Sequence, residues 1–94
     1  MATAEKTLTI GNKLGLHARA AAKLVQAAVK FKSEVKIARI DSGQATEVNA
    51  KSIMGVLMLA AAKGTTVRIA AEGEDAEQAV GALTQLIQAK FGEE

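Results

Sequence analysis

His17 is the only histidine in the chain, and its position would allow phosphoryl-transfer chemistry. A glycine-bracketed loop at residues 11–15 precedes it, and helical spacing of apolar residues predicts a helix over residues 18–30. The first N–H groups of a helix have no partner within the helix and lie at the positive end of its dipole, so they favour an anion. A phosphoryl group on the His17 ring would meet these donors, and Arg19 could add a bidentate contact.

The position of His17 also fits a bland interpretation. A lone histidine that merely caps or borders a helix is the more common case, and position and spacing alone favour it. The phosphoryl hypothesis needs histidine for a chemical reason, because its phosphoramidate is labile enough to give the group away again. A serine phosphate is not.

Ser52 is the second candidate, because it stands directly before the apolar run at residues 53–59. A serine in this position predicts a helix N-cap, which is worth ~1 kcal/mol. Phosphorylated, it would place nearly two negative charges beside apolar side chains. Both interpretations are open. In the short helix we expect Val56 and Leu59 to face inward, with at least one large apolar residue left accessible.

The composition excludes several classes of site and predicts one globular domain over residues 1–94. There is no cysteine, and one histidine leaves no metal-binding spacing, so we expect no metal and no cofactor. Phe31 and Phe91 are the only aromatic residues, too few for a nucleic-acid stacking surface. The first residues lack a signal-peptide pattern, and the longest apolar run has ten residues, so we expect a cytoplasmic protein without membrane insertion.

The charge distribution is uneven. Residues 1–71 hold eleven basic and four acidic side chains, whereas residues 72–94 hold one basic and six acidic ones. A basic first part suggests an anionic partner, but charge alone favours the simpler explanation of solvated helix faces and helix-end charges.

The order of predicted elements is β-α-β-β-α-β-α. Strands are predicted at residues 7–10, 34–40, 44–49 and 65–71, and helices at 18–30, 53–59 and from 76 to a last turn that holds Lys90. One-sided helices and short alternating strands predict an α+β fold, with the helices on one face of a mostly antiparallel sheet.

Two separated motifs carry a resemblance to a known family. Residues 15–25, Gly-Leu-His-Ala-Arg-Ala-Ala-Ala-Lys-Leu-Val, resemble the active-site segment of HPr, the histidine phosphocarrier family of the phosphoenolpyruvate-dependent phosphotransferase system (PTS). Residues 50–56, Ala-Lys-Ser-Ile-Met-Gly-Val, resemble its regulatory-serine segment, and residues 71–76 its C-terminal third. The likeness runs from about Lys6 to Lys90. It implies an open-faced two-layer β-sandwich with three helices on one face of four antiparallel strands.

The resemblance also implies roles for these residues. His17 would accept a phosphoryl group on Nδ1 from enzyme I and pass it to an enzyme IIA domain, with Arg19 steadying the group. Ser52 would be phosphorylated by an HPr kinase where one exists. The protein would be a bacterial carrier in sugar transport and not a turnover enzyme, and a monomer. The implied partner-binding residues are Ala18, Arg19, Ala20, Lys23, Lys51, Ser52, Ile53, Met54 and Leu57.

Two positions depart from the family pattern, and other functions stay open. Ala20 stands where proline is common, and Leu14 stands where some members carry Ser or Asn, so a hydrogen bond to the ring would be missing. A nitrogen-regulatory PTS paralogue shares the histidine motif and is the alternative carrier. An RNA-binding domain and a hydrolase pairing His17 with Ser52 are weaker hypotheses, because the strands lack aromatics and a triad has no third member.

Overall fold

The computed structural model describes residues 2–41, 43 and 45–93. Its elements follow the predicted order and end in one additional turn. They are β1 (Thr3–Thr9), α1 (Ala18–Ala28), β2 (Glu34–Arg39), β3 (Thr46–Asn49), α2 (Ile53–Met58), β4 (Thr66–Glu72), α3 (Ala76–Gln88) and a 3-10 turn (Lys90–Gly92).

The four strands form one antiparallel sheet in the order β1-β4-β2-β3. At its centre, Ile37 of β2 lies opposite Ile69 of β4 and Val48 of β3. Val35, Ile37, Val67 and Ile69 alternate along β2 and β4 and are buried on one face, as period-two strands require. The helices cover that face, so the predicted α+β open-faced sandwich is confirmed.

The predicted apolar stripe of α1 is the part of the helix that reaches the core. Ala21, Leu24 and Ala28 have no exposed surface, and Val25 is 8% exposed. Alanine leaves little side chain between helices, so α1 packs against both α2 and α3. In α2, Val56 and Leu59 face inward as predicted.

Several element bounds differ from the sequence prediction by one or two residues, and the start of β1 differs by four. β1 begins at Thr3 and not at residue 7, because the strand pairs by its backbone along the whole of β4, from Thr3 opposite Glu72 to Thr9 opposite Thr66. The third strand begins at Thr46, and predicted position Gln44 lies outside the described residues. α3 ends at Gln88, so Lys90 belongs to the 3-10 turn and not to the last turn of α3.

Asp75 ties the N-terminal end of α3 to the loop before β2. Its carboxylate accepts hydrogen bonds from Lys32 N and Ser33 N, each at 2.9 Å, and from Ser33 Oγ at 2.5 Å. The Ser33 hydroxyl is the main cause that lowers the pKa of Asp75 to about 2. Gly73 permits this approach, because a β-carbon there would lie 2.5 Å from Ser33 Oγ.

Candidate functional site

A rigid loop places His17 at the start of α1. Gly15 has a φ of +65°, and a β-carbon on it would lie 2.4 Å from the carbonyl oxygen of Ala61. Leu16 N donates to the same oxygen at 2.8 Å. His17 then takes the N-cap position with extended backbone, and its carbonyl accepts the hydrogen bond from Ala21 N at 2.8 Å. Its side chain is 24% exposed.

The C-terminal tail folds back onto this loop. Lys90 and Phe91 both have positive φ, at 55° and 58°, which non-glycine residues adopt only when their surroundings hold them. Phe91 is 1% exposed and anchors the tail in the core. Lys23 Nζ of α1 donates to Phe91 O at 2.6 Å, which fixes the turn from the other side. Glu93 is thereby carried to His17.

Glu93 and Asn12 complete the surroundings of the imidazole ring. Glu93 Oε2 contacts His17 Nε2, while Asn12 Nδ2 donates to Glu93 Oε1 at 2.9 Å and to Gly15 O at 2.7 Å. Asn12 is fully buried. Its amide is the largest cause that lowers the pKa of Glu93, and His17 and Arg19 lower it further, whereas burial acts in the opposite direction. Glu93 is therefore a carboxylate at neutral pH.

An open basic cleft adjoins this group. Its volume is about 470 Å³, and it is lined by Lys13, Leu14, Arg19, Lys23, Gly92 and Glu93. Arg19 is exposed and forms no side-chain hydrogen bond or ion pair with another described residue. Its guanidinium is thus available to an incoming anion beside the first turn of α1.

Ser52 lies at the N-cap of α2, as its sequence context predicted. Its Oγ accepts a hydrogen bond from Gly55 N at 3.1 Å. The apolar side chains around it point outward, with Met54 69%, Met58 74% and Ile53 45% exposed. α1 and α2 pack against each other, so His17 and Ser52 begin two neighbouring helices.

Comparison with known proteins identifies the family. Residues 4–89 match the family model described as "PTS HPr component phosphorylation site". The chain is 51% identical over 90 residues to the phosphocarrier protein HPr of Xylella fastidiosa, covering 96% of this chain and 97% of that one. The chain belongs to the HPr family. The HPr of Neisseria meningitidis is similar to a like degree, with 52% identity over 89 residues, 95% of this chain and 96% of that one.

Solved HPr structures share the fold. A crystal structure of HPr-C-His from Thermoanaerobacter tengcongensis superposes with a TM-score of 0.89 at 48% identity, covering 97% of this chain and 98% of that one. A structure from the same organism described as an HPr dimer gives a TM-score of 0.73 at 48% identity, covering 92% of this chain and 94% of that one. As a member of the HPr family, the protein is a phosphocarrier of the PTS.

The nitrogen-regulatory alternative is not favoured by these comparisons. A relative named phosphocarrier protein NPr, from Shewanella violacea, is 41% identical over 93 residues, covering 99% of this chain and 98% of that one. The HPr proteins of Xylella fastidiosa and Neisseria meningitidis have a higher sequence identity to this chain than the NPr protein has.

The structure sorts the partner-binding residues that the HPr resemblance implied. Ala20 lies on the inner side of α1 and has no exposed surface, so the structure does not place its side chain where a partner could contact it. The ammonium groups of Lys23 and Lys51 donate hydrogen bonds to backbone carbonyls. Lys23 donates to Phe91 O at 2.6 Å, and Lys51 donates to Phe31 O at 2.8 Å. Leu57 is half-buried against the core. The exposed ones are Ala18, Arg19, Ile53 and Met54.

Sequence reasoning missed Glu93 and Asn12. Glu93 lies 76 positions from His17, and no local spacing connects them. The one usable signal was Phe91, a lone aromatic residue in a polar tail, which indicates an anchor that brings the tail back to the core.

The weaker hypotheses find no support in the described residues. Ser52 Oγ bonds to Gly55 N, and the His17 ring to Glu93, so the two side chains do not pair as a nucleophile and base. Neither Phe31 nor Phe91 lies in a strand, so the sheet offers no aromatic stacking surface. Among the residues described, no three His, Cys, Asp or Glu side chains cluster as metal ligands, and no helix is long and apolar enough to span a membrane.

Proposed function

We propose that His17 accepts a phosphoryl group on Nδ1 from phosphorylated enzyme I and donates it to an enzyme IIA domain. The observation that carries this proposal is the placement of His17. Its partly exposed ring stands at the N-cap of α1, beside an open cleft that Arg19 lines. Backbone donors, the helix dipole and a guanidinium at this end of α1 would then favour the phosphoryl oxygens.

Both partners would bind a single docking surface, by which we mean the exposed parts of Ala18, Arg19, Ile53, Met54 and Leu57. Exposed methionine and isoleucine beside a basic residue suit a partner with an apolar, acidic face. Methionine is flexible, which helps one surface fit two different proteins in turn. Lys23 and Lys51 would contribute their positive field from the edge of this surface.

Phosphorylation of Ser52 by an HPr kinase would inhibit docking of the phosphotransfer partners. A phosphate on Oγ would stand beside Ile53 and Met54 on the docking surface. The charge and its hydration shell would oppose burial of these apolar side chains against a partner. The same hydroxyl has a structural role as the N-cap of α2, so the serine serves two purposes.

The carrier would work as a monomer, because its two partners need the same docking surface free. An association of two copies through α2 would bury Ile53 and Met54 and compete with transfer. Light scattering at micromolar concentration should give the mass of one chain, whether or not His17 is phosphorylated.

Intact-mass spectrometry tests the proposed function. The protein is mixed with phosphoenolpyruvate, Mg²⁺ and enzyme I, and its mass is recorded before and after mild acid. We expect a gain of one phosphoryl group that acid removes. His17→Ala should not gain it, whereas Ser52→Ala should. Transfer to His17→Ala at the wild-type rate would overturn the assignment.

A further inference from the structure

We infer that Glu93 is a positioning residue that keeps a proton on His17 Nε2, so that Nδ1 both accepts and releases the phosphoryl group. The inference rests on the proposed function of His17. It adds the reason why one ring nitrogen reacts and the other does not, and it assigns that choice to a residue of the C-terminal tail.

The carboxylate of Glu93 is held in place from three sides. Buried Asn12 donates to Oε1 at 2.9 Å, and the Phe91 anchor and the Lys23 hydrogen bond to Phe91 O fix the turn that precedes it. The Glu93 side chain is itself 11% exposed. Such support is what an orienting group needs, since a mobile carboxylate would not select one ring geometry.

The hydrogen-bonding roles of the carboxylate and the imidazole determine which ring nitrogen of His17 carries the proton. An ionised carboxylate only accepts hydrogen bonds, so in the contact with Glu93 Oε2 the donor must be Nε2–H of His17. A neutral imidazole carries one proton on its two nitrogens, so Nδ1 then holds the lone pair. Glu93 acts on Nε2 in the way that the aspartate of a serine protease triad acts on the ring nitrogen opposite the reacting one.

The proton on Nε2 also makes both transfer steps balance. The Nδ1 lone pair attacks the phosphorus of the enzyme I phosphohistidine, an Nδ1–P bond forms, and the donor P–N bond breaks with its electron pair on the enzyme I ring. The His17 ring then carries the phosphoryl group on Nδ1 and the proton on Nε2, and the Glu93 carboxylate compensates its positive charge. On release, the Nδ1–P electron pair stays on Nδ1 and the ring leaves as neutral imidazole, so no proton has to enter or depart.

Glu93→Gln tests the inference with the least change in shape, because the amide is similar in size but uncharged and able to donate. Glu77→Gln is the matched control. It removes the same charge from an exposed position in the first turn of α3, at the opposite end of that helix from the tail. Both variants would be labelled with ¹⁵N-histidine, since the shifts of the two ring nitrogens report which one carries the proton.

In the wild-type protein and Glu77→Gln, the neutral ring should show one tautomer, protonated on Nε2. In Glu93→Gln we expect a mixture of tautomers. We also expect a turnover rate in transfer to enzyme IIA about tenfold lower at unchanged KM, the difference between a charge-assisted and a neutral hydrogen bond. If Glu93 only stabilised the tail and did not orient the ring, Glu93→Gln would leave both the tautomer and the nitrogen that ³¹P–¹⁵N coupling identifies as phosphorylated unchanged.

A single Nε2–H tautomer and wild-type transfer rates in Glu93→Gln would overturn the inference while leaving the proposed function intact. Failure of the wild-type protein to gain a phosphoryl group would instead remove the proposed function. Glu93→Ala provides a second variant. It cannot form any side-chain contact to the ring, so it should populate the two tautomers at least as evenly as Glu93→Gln.

Discussion

Gly15 lies against Ala61 so closely that the loop before His17 is fastened to the segment after α2. A β-carbon on Gly15 would lie 2.4 Å from the Ala61 carbonyl oxygen, which also accepts the hydrogen bond from Leu16 N at 2.8 Å. Arg39 holds the same segment, because its Nη1 donates to Leu59 O and Ala60 O at 3.2 Å. The His17 loop and the end of the helix that Ser52 begins are therefore positioned by one contact.

Gly15→Ala should be strongly destabilising. The substitution combines a positive φ, at a cost of about 1 kcal/mol, with a backbone collision worth about 2 kcal/mol more. Gly64→Ala is the matched control, because Gly64 also has a positive φ, of 92°, but a β-carbon there meets no atom within 4 Å. Urea unfolding should thus show a loss of about 3 kcal/mol for Gly15→Ala and about 1 kcal/mol for Gly64→Ala. Equal losses would show that the Ala61 contact is unimportant.

Asp75→Asn should change how stability depends on pH. Hydrogen bonds led by the Ser33 hydroxyl lower the pKa of Asp75 from 3.8 to about 2 in the folded state. The unfolded chain therefore binds this proton first, and the stabilisation is complete above about pH 4 and disappears as the pH falls to about 2. Wild type should be more stable than Asp75→Asn at pH 7, and the difference should shrink across that window.

Urea unfolding of both proteins at pH 7, 4, 3 and 2 measures this difference. Glu74→Gln is the control, because among the described residues Glu74 contributes an exposed ion pair with Lys32, at 3.2 Å. Its stability should follow the wild-type pH profile. A wild-type advantage over Asp75→Asn that stays constant from pH 7 to pH 2 would contradict the assignment of this proton to Asp75.

The success of sequence reasoning here depended on how local each signal was. Val56 and Leu59 were placed inward correctly, because helical spacing within one short segment determines which side faces the core. The full length of β1 was missed, because backbone pairing with β4 extends the strand beyond its apolar residues. Ala20 was named as partner-binding only through the HPr resemblance, which carries over a position in the motif and not its burial, and the structure leaves it no exposed surface.

For the site residues too, those in local motifs were predicted and those brought in from distant parts of the chain were not. His17, Arg19 and Ser52 were found from motifs of a few residues, and the structure puts the first and last at two helix N-caps. The position of Glu93 depends on two left-handed residues, a buried aromatic anchor and a lysine on another helix. Lys23 lies six residues after His17 on α1, but the other features belong to the C-terminal tail, so only the folded chain brings them to the ring.

Ser52→Ala and Ser52→Asp should separate the structural role of Ser52 as a helix N-cap from its proposed inhibitory role when phosphorylated. Alanine removes the hydrogen bond to Gly55 N and should cost ~1 kcal/mol of stability, with phosphorylation of His17 by enzyme I unchanged at temperatures where the protein is folded. Aspartate also caps helices well, so that variant should be as stable as wild type but slower to react with enzyme I, because its charge lies at the docking surface. A Ser52→Asp protein that reacts at the wild-type rate would argue against inhibition by a negative charge at Ser52.

Met54→Ala should weaken docking without destabilising the fold. The Met54 side chain is 69% exposed, so its removal creates no cavity in the core. If its surface is buried against enzyme I, the loss should be about 1 kcal/mol, which raises KM about fivefold while the turnover number stays the same. Val29→Ala is the control, since Val29 is 55% exposed at the C-cap of α1, the end opposite His17. Steady-state phosphorylation at varied carrier concentration gives both constants. A KM raised equally by the two substitutions would mean that exposed apolar surface in general, and not the docking surface around α2, meets the partner.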